Sequence, residues 1–242
     1  MAKAYHVNSH YVFDQTRHQR STMFDEQKQH HEHSEWISDH LLNYFDSECI
    51  SVFHEIPALD FRMDVYLIRV PNRNYQVLMT TGMSVIEMNI DEDVEEDVKD
   101  GLKFAELMML VPKDITFNDA YTGENPNDWI ITMLKMTAKF PHYHNTWLGE
   151  GHSIQANMEY QPYSNDSQFY GAVILPSATF RKDFTKIRRE GRVINLYTLF
   201  PVYKNELEYR REHGFSAFWK RLVKANPKET LNVRRPNILE EL

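Results

Sequence analysis

The segment FPHYHNTWLGEGHSI, residues 140–154, gathers the side chains most suited to chemistry: His142, His144 and His152, with Glu150, Thr146 and Ser153 beside Trp147 and two glycines. Three imidazoles could converge on a metal ion from a loop. Their spacing of two and eight residues lacks the two-turn helical pattern of HExxH, and the single cysteine, Cys49, offers no thiolate pair. No native metal site is expected. Glu150 and His152 could also act as a general acid and base, but such pairs are common in turns. A second cluster, His30, His31 and His33 with Glu32, falls on a helix, where His30, Glu32 and His33 are expected to face solvent and to hold at most adventitious zinc or nickel.

Other chemistry finds less support. A nucleophile on a sharp turn would need a pattern such as GxSxG, which is missing, and Cys49 in DSECISVF reads as a semi-buried small hydrophobe. Neither GxGxxG nor GxxxxGK[ST] occurs, and the GEG at 149–151 is too short to cradle a phosphate. No catalytic residue and no cofactor is expected. There remains a structural reading of the same stretch. Pro141 would end the preceding helix, Gly149 and Gly151 open backbone angles closed to other residues, and Trp147 with Leu148 forms an apolar anchor beside His152. Such a turn either faces the core or presents a hot spot to a partner, and the residues leave both open.

These residues must be positioned by the elements around them. Trp36, Ile37, Leu41, Tyr44 and Phe45 recur at helical spacing, predicting a first helix over 26–45. MDVYLIRV (63–70) and YQVLMTTGM (75–83), separated by a turn-sized gap after Pro71, predict a hairpin. FAELMMLVP (104–112) and GAVILP (171–176) are continuous apolar runs of the kind found in strands covered on both faces, and VINLYTLFPVY (193–203) predicts a further strand ending at Pro201. Helical patterns follow over 126–140 and 203–226, the second broken or capped at Gly214. Runs of strands with helices before, between and after imply an α+β fold: a mixed, mostly antiparallel sheet covered by helices in a single domain, 26–242, preceded by a loose N-terminal arm, 1–25.

Bulk properties narrow the partners. Thirty-five acidic against 27 basic residues give a formal charge of -8, which disfavours nucleic acid unless a basic face is segregated from the rest. The run IDEDVEEDVKDG, 90–101, holds seven carboxylates and one lysine, and reads as a solvated loop or short polar helix that could serve as an acidic docking face. No stretch approaches the roughly 20 apolar residues of a membrane span, and the first residues lack the apolar core of a signal peptide, so a cytoplasmic address is expected.

In this order, DVYLIRV, TTGMS, FAELMMLVP, FPHYHNTWLGEGHSI, GAVILP, VINLYTLFPVYKNELEYRREHG and RRPNI resemble the suppressor of fused domain family, from about Trp36 to Asn237. The resemblance implies a non-catalytic, protein-binding module. The animal member carries a second C-terminal domain and grips an extended peptide between its two domains. This chain stops soon after the first and is more similar to the stand-alone bacterial members, which the family pattern associates with immunity proteins that neutralise polymorphic toxins. Tyr66, Thr81, Trp147, His152, Tyr197 and Tyr203 lie within the matching motifs, as core or as partner contacts. The expected partner-binding set is Trp147, His152, Tyr66 and Tyr203 with Asp91, Glu92, Asp93, Glu95 and Glu96, facing a protein or extended peptide, a toxin partner being a basic domain; the alternatives are a general peptide-binding scaffold and, less favoured, a metal-dependent hydrolase using His142, His144 and His152.

Overall fold

The predicted hairpin forms. In a computed structural model that describes residues 10–11, 23–55, 61–117 and 125–240, β3 (Asp64–Arg69) and β4 (Tyr75–Thr81) pair antiparallel from Asp64 opposite Thr81 to Arg69 opposite Gln76. The turn between them follows Pro71, with Asn72 in the left-handed region at φ 57. Around this hairpin runs a nine-stranded sheet. Its other strands are β1 (His10–Tyr11), β2 (Ile50–Phe53), β5 (Phe104–Pro112), β6 (Ser153–Gln155), β7 (Phe169–Leu175), β8 (Lys186–Arg189) and β9 (Arg192–Tyr203). The order is β1-β6-β7-β9-β5-β4-β3-β2, with β8 also paired to β9. Among the described strands only β1–β6 and β5–β9 are parallel, so the sheet is mixed and mostly antiparallel.

Alternation along β9 shows how the helices cover this sheet. Ile194 and Leu196 belong to the cluster under α1 (Met23–Leu42), and Phe200 and Val202 to the cluster under α4 (Lys204–Ala225). Leu199, from the opposite face, packs with α3 (Asp128–Tyr143). Two helices thus share one face and the third covers the other. The continuous apolar run of β5 follows directly: Leu107 and Met109 meet α3 while Met108 and Leu110 meet the α1 layer. On α1, Trp36, Ile37 and Leu41 are buried as their spacing predicts, each burial stabilising by roughly 1.5–3 kcal/mol. The remaining helix, α2 (Glu96–Lys99), is a single turn inside the acidic run.

Several expectations need correction. The first helix stops at Leu42, leaving Tyr44 exposed and Phe45 partly buried. His33 does not face solvent: it stacks on Trp36 at 4.5 Å and its Nε2 accepts from Nη1 of Arg192 at 2.8 Å, because the β8–β9 hairpin closes over that side of α1. The helix over 126–140 runs past Pro141 to Tyr143, since a proline so near the end removes one backbone donor and the last turn still closes through His144 N–H to the Phe140 carbonyl. Likewise β9 passes through Pro201 to Tyr203. At that point β9 has run beyond its pairing with β5, so the missing donor disrupts no ladder, and the Pro201 carbonyl accepts from Arg235 at 3.0 Å. Strands β2, β6 and β8 were not anticipated; each is only three or four residues long. Of the expected arm, 1–25, only residues 10–11, in β1, and 23–25, in α1, lie among those described; the rest lies outside.

Candidate protein-binding site

The histidine-rich turn belongs to the core. Trp147 is 7% exposed and His152 has no exposed surface, the two rings meeting edge to face at 4.3 Å. His152 Nδ1–H donates to the Trp147 carbonyl at 3.2 Å. The turn is fastened to β7 by Gly151 N–H to the Ile174 carbonyl and by Ile174 N–H to the His152 carbonyl. Its other side is held by Arg210 of α4, whose Nε and Nη2 donate to the Gly151 carbonyl at 3.1 and 2.6 Å. Gly151 sits at φ 90 against the Phe215 ring, where a Cβ would come within 2.9 Å of ring carbons. Burial, with the Arg210 charge beside it, pushes the His152 imidazole down to about 3, and burial alone pushes Arg210 down to about 10.

The three histidines therefore serve different ends. His142 Nε2–H donates to the Met83 carbonyl at 2.9 Å and burial lowers it to about 4, His144 packs on Phe140 at 4.3 Å, and His152 lies under Trp147. Among the described residues no three of His, Cys, Asp or Glu are grouped to hold a metal. Glu150 is exposed while His152 is sealed, so the imidazole has no route to a proton on a bound substrate.

Sequence reasoning passed over the other buried charges. Glu106 interrupts the apolar run of β5 and is fully buried, accepting from Thr80 Oγ1 (2.7 Å), Gly82 N (3.0 Å), Ser84 N (2.9 Å) and Ser84 Oγ (2.6 Å). These donors are the residues of the TTGMS motif. Gly82 holds φ 135, and a Cβ there would lie 2.4 Å from the Arg62 carbonyl oxygen. Burial raises Glu106 above the ordinary carboxylate range despite its four donors. Glu206, in the first turn of α4, is equally buried but is paired with both terminal nitrogens, Nη1 and Nη2, of Arg235 and accepts from Ile238 N and Tyr203 N at 2.8 and 2.9 Å. Arg235 lies over the Phe169, Phe200 and Tyr203 rings at 5.3, 4.9 and 4.7 Å. The RRPNI tail is thereby stapled to the junction of β9 and α4. A lone Glu within FAELMMLVP was the available signal for the first site; nothing in local spacing links Glu206 to Arg235.

The candidates with access to a partner are fewer. Tyr66 is buried, its hydroxyl donating to the Ser34 carbonyl at 3.4 Å, and Thr81 is buried. Tyr197 is half-buried, and burial with nearby Glu150 holds its hydroxyl above the usual phenol range. Tyr203 is half-buried, donates to the Arg235 carbonyl at 2.6 Å and lines a cleft of about 460 Å³ with Tyr170, Lys204, Asn205 and Asn237. Asp91, Glu92, Asp93, Glu95 and Glu96 are all exposed. Their segment is anchored from below by Ile90 and Val94, which pack against the core, and by Asn89 N–H to the Thr146 carbonyl, next to the turn at Trp147. No helix among the described residues is long and apolar enough to cross a membrane.

Comparison with known proteins agrees with this architecture. No curated protein sequence matches the chain. Among solved structures, a SUFU (suppressor of fused protein) homolog from Neisseria gonorrhoeae FA 1090 is similar with a TM-score of 0.61 at 13% identity, over 88% of this chain and 100% of that one. A chain of the Sufu–Fu complex is similar with a TM-score of 0.57 at 14% identity, over 85% of this chain and 91% of that one. At such identity these likenesses speak to the fold. The family model for Suppressor of fused protein (SUFU) matches residues 60–236, well over half of the sequence and the region that holds the TTGMS, TWLGEGH and NELEY motifs, so the chain belongs to the suppressor of fused family.

Proposed function

We propose that this chain is a non-catalytic protein-binding module that acts in the cytoplasm as an immunity-type protein, neutralising a toxin by covering its basic working face. The observation that carries the reading is the acidic segment: five exposed carboxylates from Asp91 to Glu96 on a backbone fixed to the core through Ile90 and Val94. Charges held in place on a rigid base complement a basic surface without an ordering cost at binding, and steer its approach. Membership in a family with a member solved as the Sufu–Fu complex supports a protein partner. The test is a pull-down from native lysate at low and high salt, comparing wild type with a variant carrying Asp91→Asn, Glu92→Gln, Asp93→Asn, Glu95→Gln and Glu96→Gln. The reading expects one stoichiometric basic partner, released by salt, lost on neutralisation, and inhibited at a 1:1 ratio. A partner that is not basic, or one that ignores both salt and neutralisation, sinks it.

A second reading, a scaffold that captures an extended peptide, is favoured by β2. Among the described residues it is the last strand of the sheet, and Ile50–Phe53 carries none of the charges that commonly guard an edge. Proline substitution at Val52 would abolish capture under that reading and leave the first untouched.

A further inference from the structure

The second half of α4 combines two features that seldom coincide by accident on an acidic protein. From His213 to Lys228 the chain carries Lys220, Arg221, Lys224 and Lys228 and no acidic residue, within a molecule of formal charge -8. Through the middle of that positive stretch runs an apolar stripe at i, i+4 and i+8. Phe215 is half-buried over Gly151, Trp219 is 37% exposed and packs on Phe215 at 5.8 Å, and Val223 is 58% exposed. Beside the stripe lies a shallow groove of about 470 Å³ along Tyr209, His213, Ser216, Lys220 and Lys224, with Arg221 over the Tyr209 ring at 6.0 Å. Gly214, at φ 79, breaks the helix at the head of this stretch and so sets its direction apart from the first half.

We infer that residues 215–224 of α4 are a docking site for an acidic amphipathic segment of a partner protein, with Trp219 and Val223 as apolar anchors and Lys220, Arg221 and Lys224 pairing its carboxylates. An exposed tryptophan on a helix that also carries Lys220, Arg221 and Lys224 has the composition of an interface hot spot, since the ring supplies buried area and the cations supply charge-assisted contacts. A second copy of this chain does not fit, because the apolar residues of its own acidic run, Ile90 and Val94, are committed to the core. A lipid surface does not fit either: the face of α4 next to the stripe is spent on Phe218 and Leu222 in the core, leaving exposed apolar surface too narrow for the broad apolar face of an interfacial helix.

The site is tested by selecting a random-peptide display library on the immobilised full chain, counter-selecting on a Trp219→Ala/Lys220→Glu variant whose circular dichroism and urea midpoint match wild type. Enriched peptides should carry several Asp or Glu interleaved with aromatic or aliphatic residues. Titration of an enriched peptide should weaken about tenfold or more on Trp219→Ala and should lose most of its salt dependence on Lys220→Glu/Lys224→Glu. The variant neutralised at 91–96 should bind it as wild type does, which separates this site from the acidic one. Enrichment without an acidic excess, binding indifferent to Trp219, or Trp219-dependent sedimentation with phosphatidylserine vesicles in place of peptide binding would each overturn the assignment.

Discussion

Glu106 and Glu206 are two carboxylates with no exposed surface, one resolved by four neutral donors and the other by a guanidinium. The first ties β5 to the turn after β4; the second ties the start of α4 to the tail, 29 residues on at Arg235 and 32 at Ile238. A carboxylate on neutral donors can remain protonated inside the fold, and its removal leaves only dipoles unmet. A carboxylate on an arginine has exchanged one burial cost for another, and losing either partner strands a charge. Both hold family motifs together, so the most recognisable stretches of this sequence are scaffold, and the surface that meets a partner is free to differ.

The largest effect should come from breaking the second pair. Arg235→Met leaves Glu206 buried without its cation and removes the donors to the Pro201 and Pro236 carbonyls, and should cost about 3–5 kcal/mol in urea unfolding. The double variant Glu206→Gln/Arg235→Met should recover part of that loss, because no uncompensated charge remains. If the double variant is as unstable as the single, the tail is held by packing on Phe169, Phe200 and Tyr203 and not by the ion pair.

An effect of comparable size, opposite in form, belongs to Glu106. Replacement by leucine orphans the Gly82 and Ser84 backbone donors, at about 1–3 kcal/mol for each group left unpaired. Replacement by glutamine keeps an acceptor there and changes the pH dependence. An unfolded glutamate releases its proton near 4.5, whereas burial raises the value in the fold. Folded protein therefore holds a proton that unfolded protein has lost, and this contribution, complete below 4.5, declines as pH rises through the folded value. Glu106→Gln should gain on wild type from pH 5 to pH 8. A difference that stays constant across that range would mean that the carboxylate is ionised in the fold throughout.

His152 runs the other way and sharpens the contrast. Its ring takes a proton near 6.5 when unfolded but only near 3 when buried beside Arg210, so the unfolded state gains protons first and stability falls as pH drops below 6.5. A His152→Gln variant should be less stable than wild type at pH 7, because packing under Trp147 is lost, yet the gap should narrow toward pH 5. A gap that widens on acidification would contradict the sealed, neutral imidazole.

What the sequence revealed follows from range. Continuous apolar runs and helical stripes are local, and they located β3, β4, β5, β7, β9, α1, α3 and α4 to within a few residues. Prolines misled at 141 and 201 because whether a missing donor matters depends on neighbours distant in sequence, here the end of α3 and the end of the β5 pairing. Trp147 and His152 were conspicuous for chemistry because of residue type alone; Arg210, 59 positions from the Gly151 carbonyl it holds, is what makes them core. Trp219 went unremarked because a tryptophan on a helix reads as core until the packed face, Phe218 and Leu222, is known to lie to one side of it.

The smallest effect on stability should come from the carboxylates that face water. Neutralising Asp91, Glu92, Asp93, Glu95 and Glu96 removes like charges from an exposed segment whose anchors, Ile90 and Val94, stay in place, at the loss of one surface pair between Glu96 and Lys99, so the unfolding free energy should change by less than about 0.5 kcal/mol, with a small gain at low salt as self-repulsion falls. The same variant should slow association with a basic partner by about tenfold at low salt while leaving dissociation nearly unchanged, since charges on a rim act on encounter and a packed anchor acts on escape. Buried and exposed carboxylates would then be separated by what they govern: Glu106 and Glu206 decide whether the fold exists, and the acidic segment decides how quickly it finds its partner. A neutralised segment that destabilised the fold as much as Glu106→Leu would erase that division.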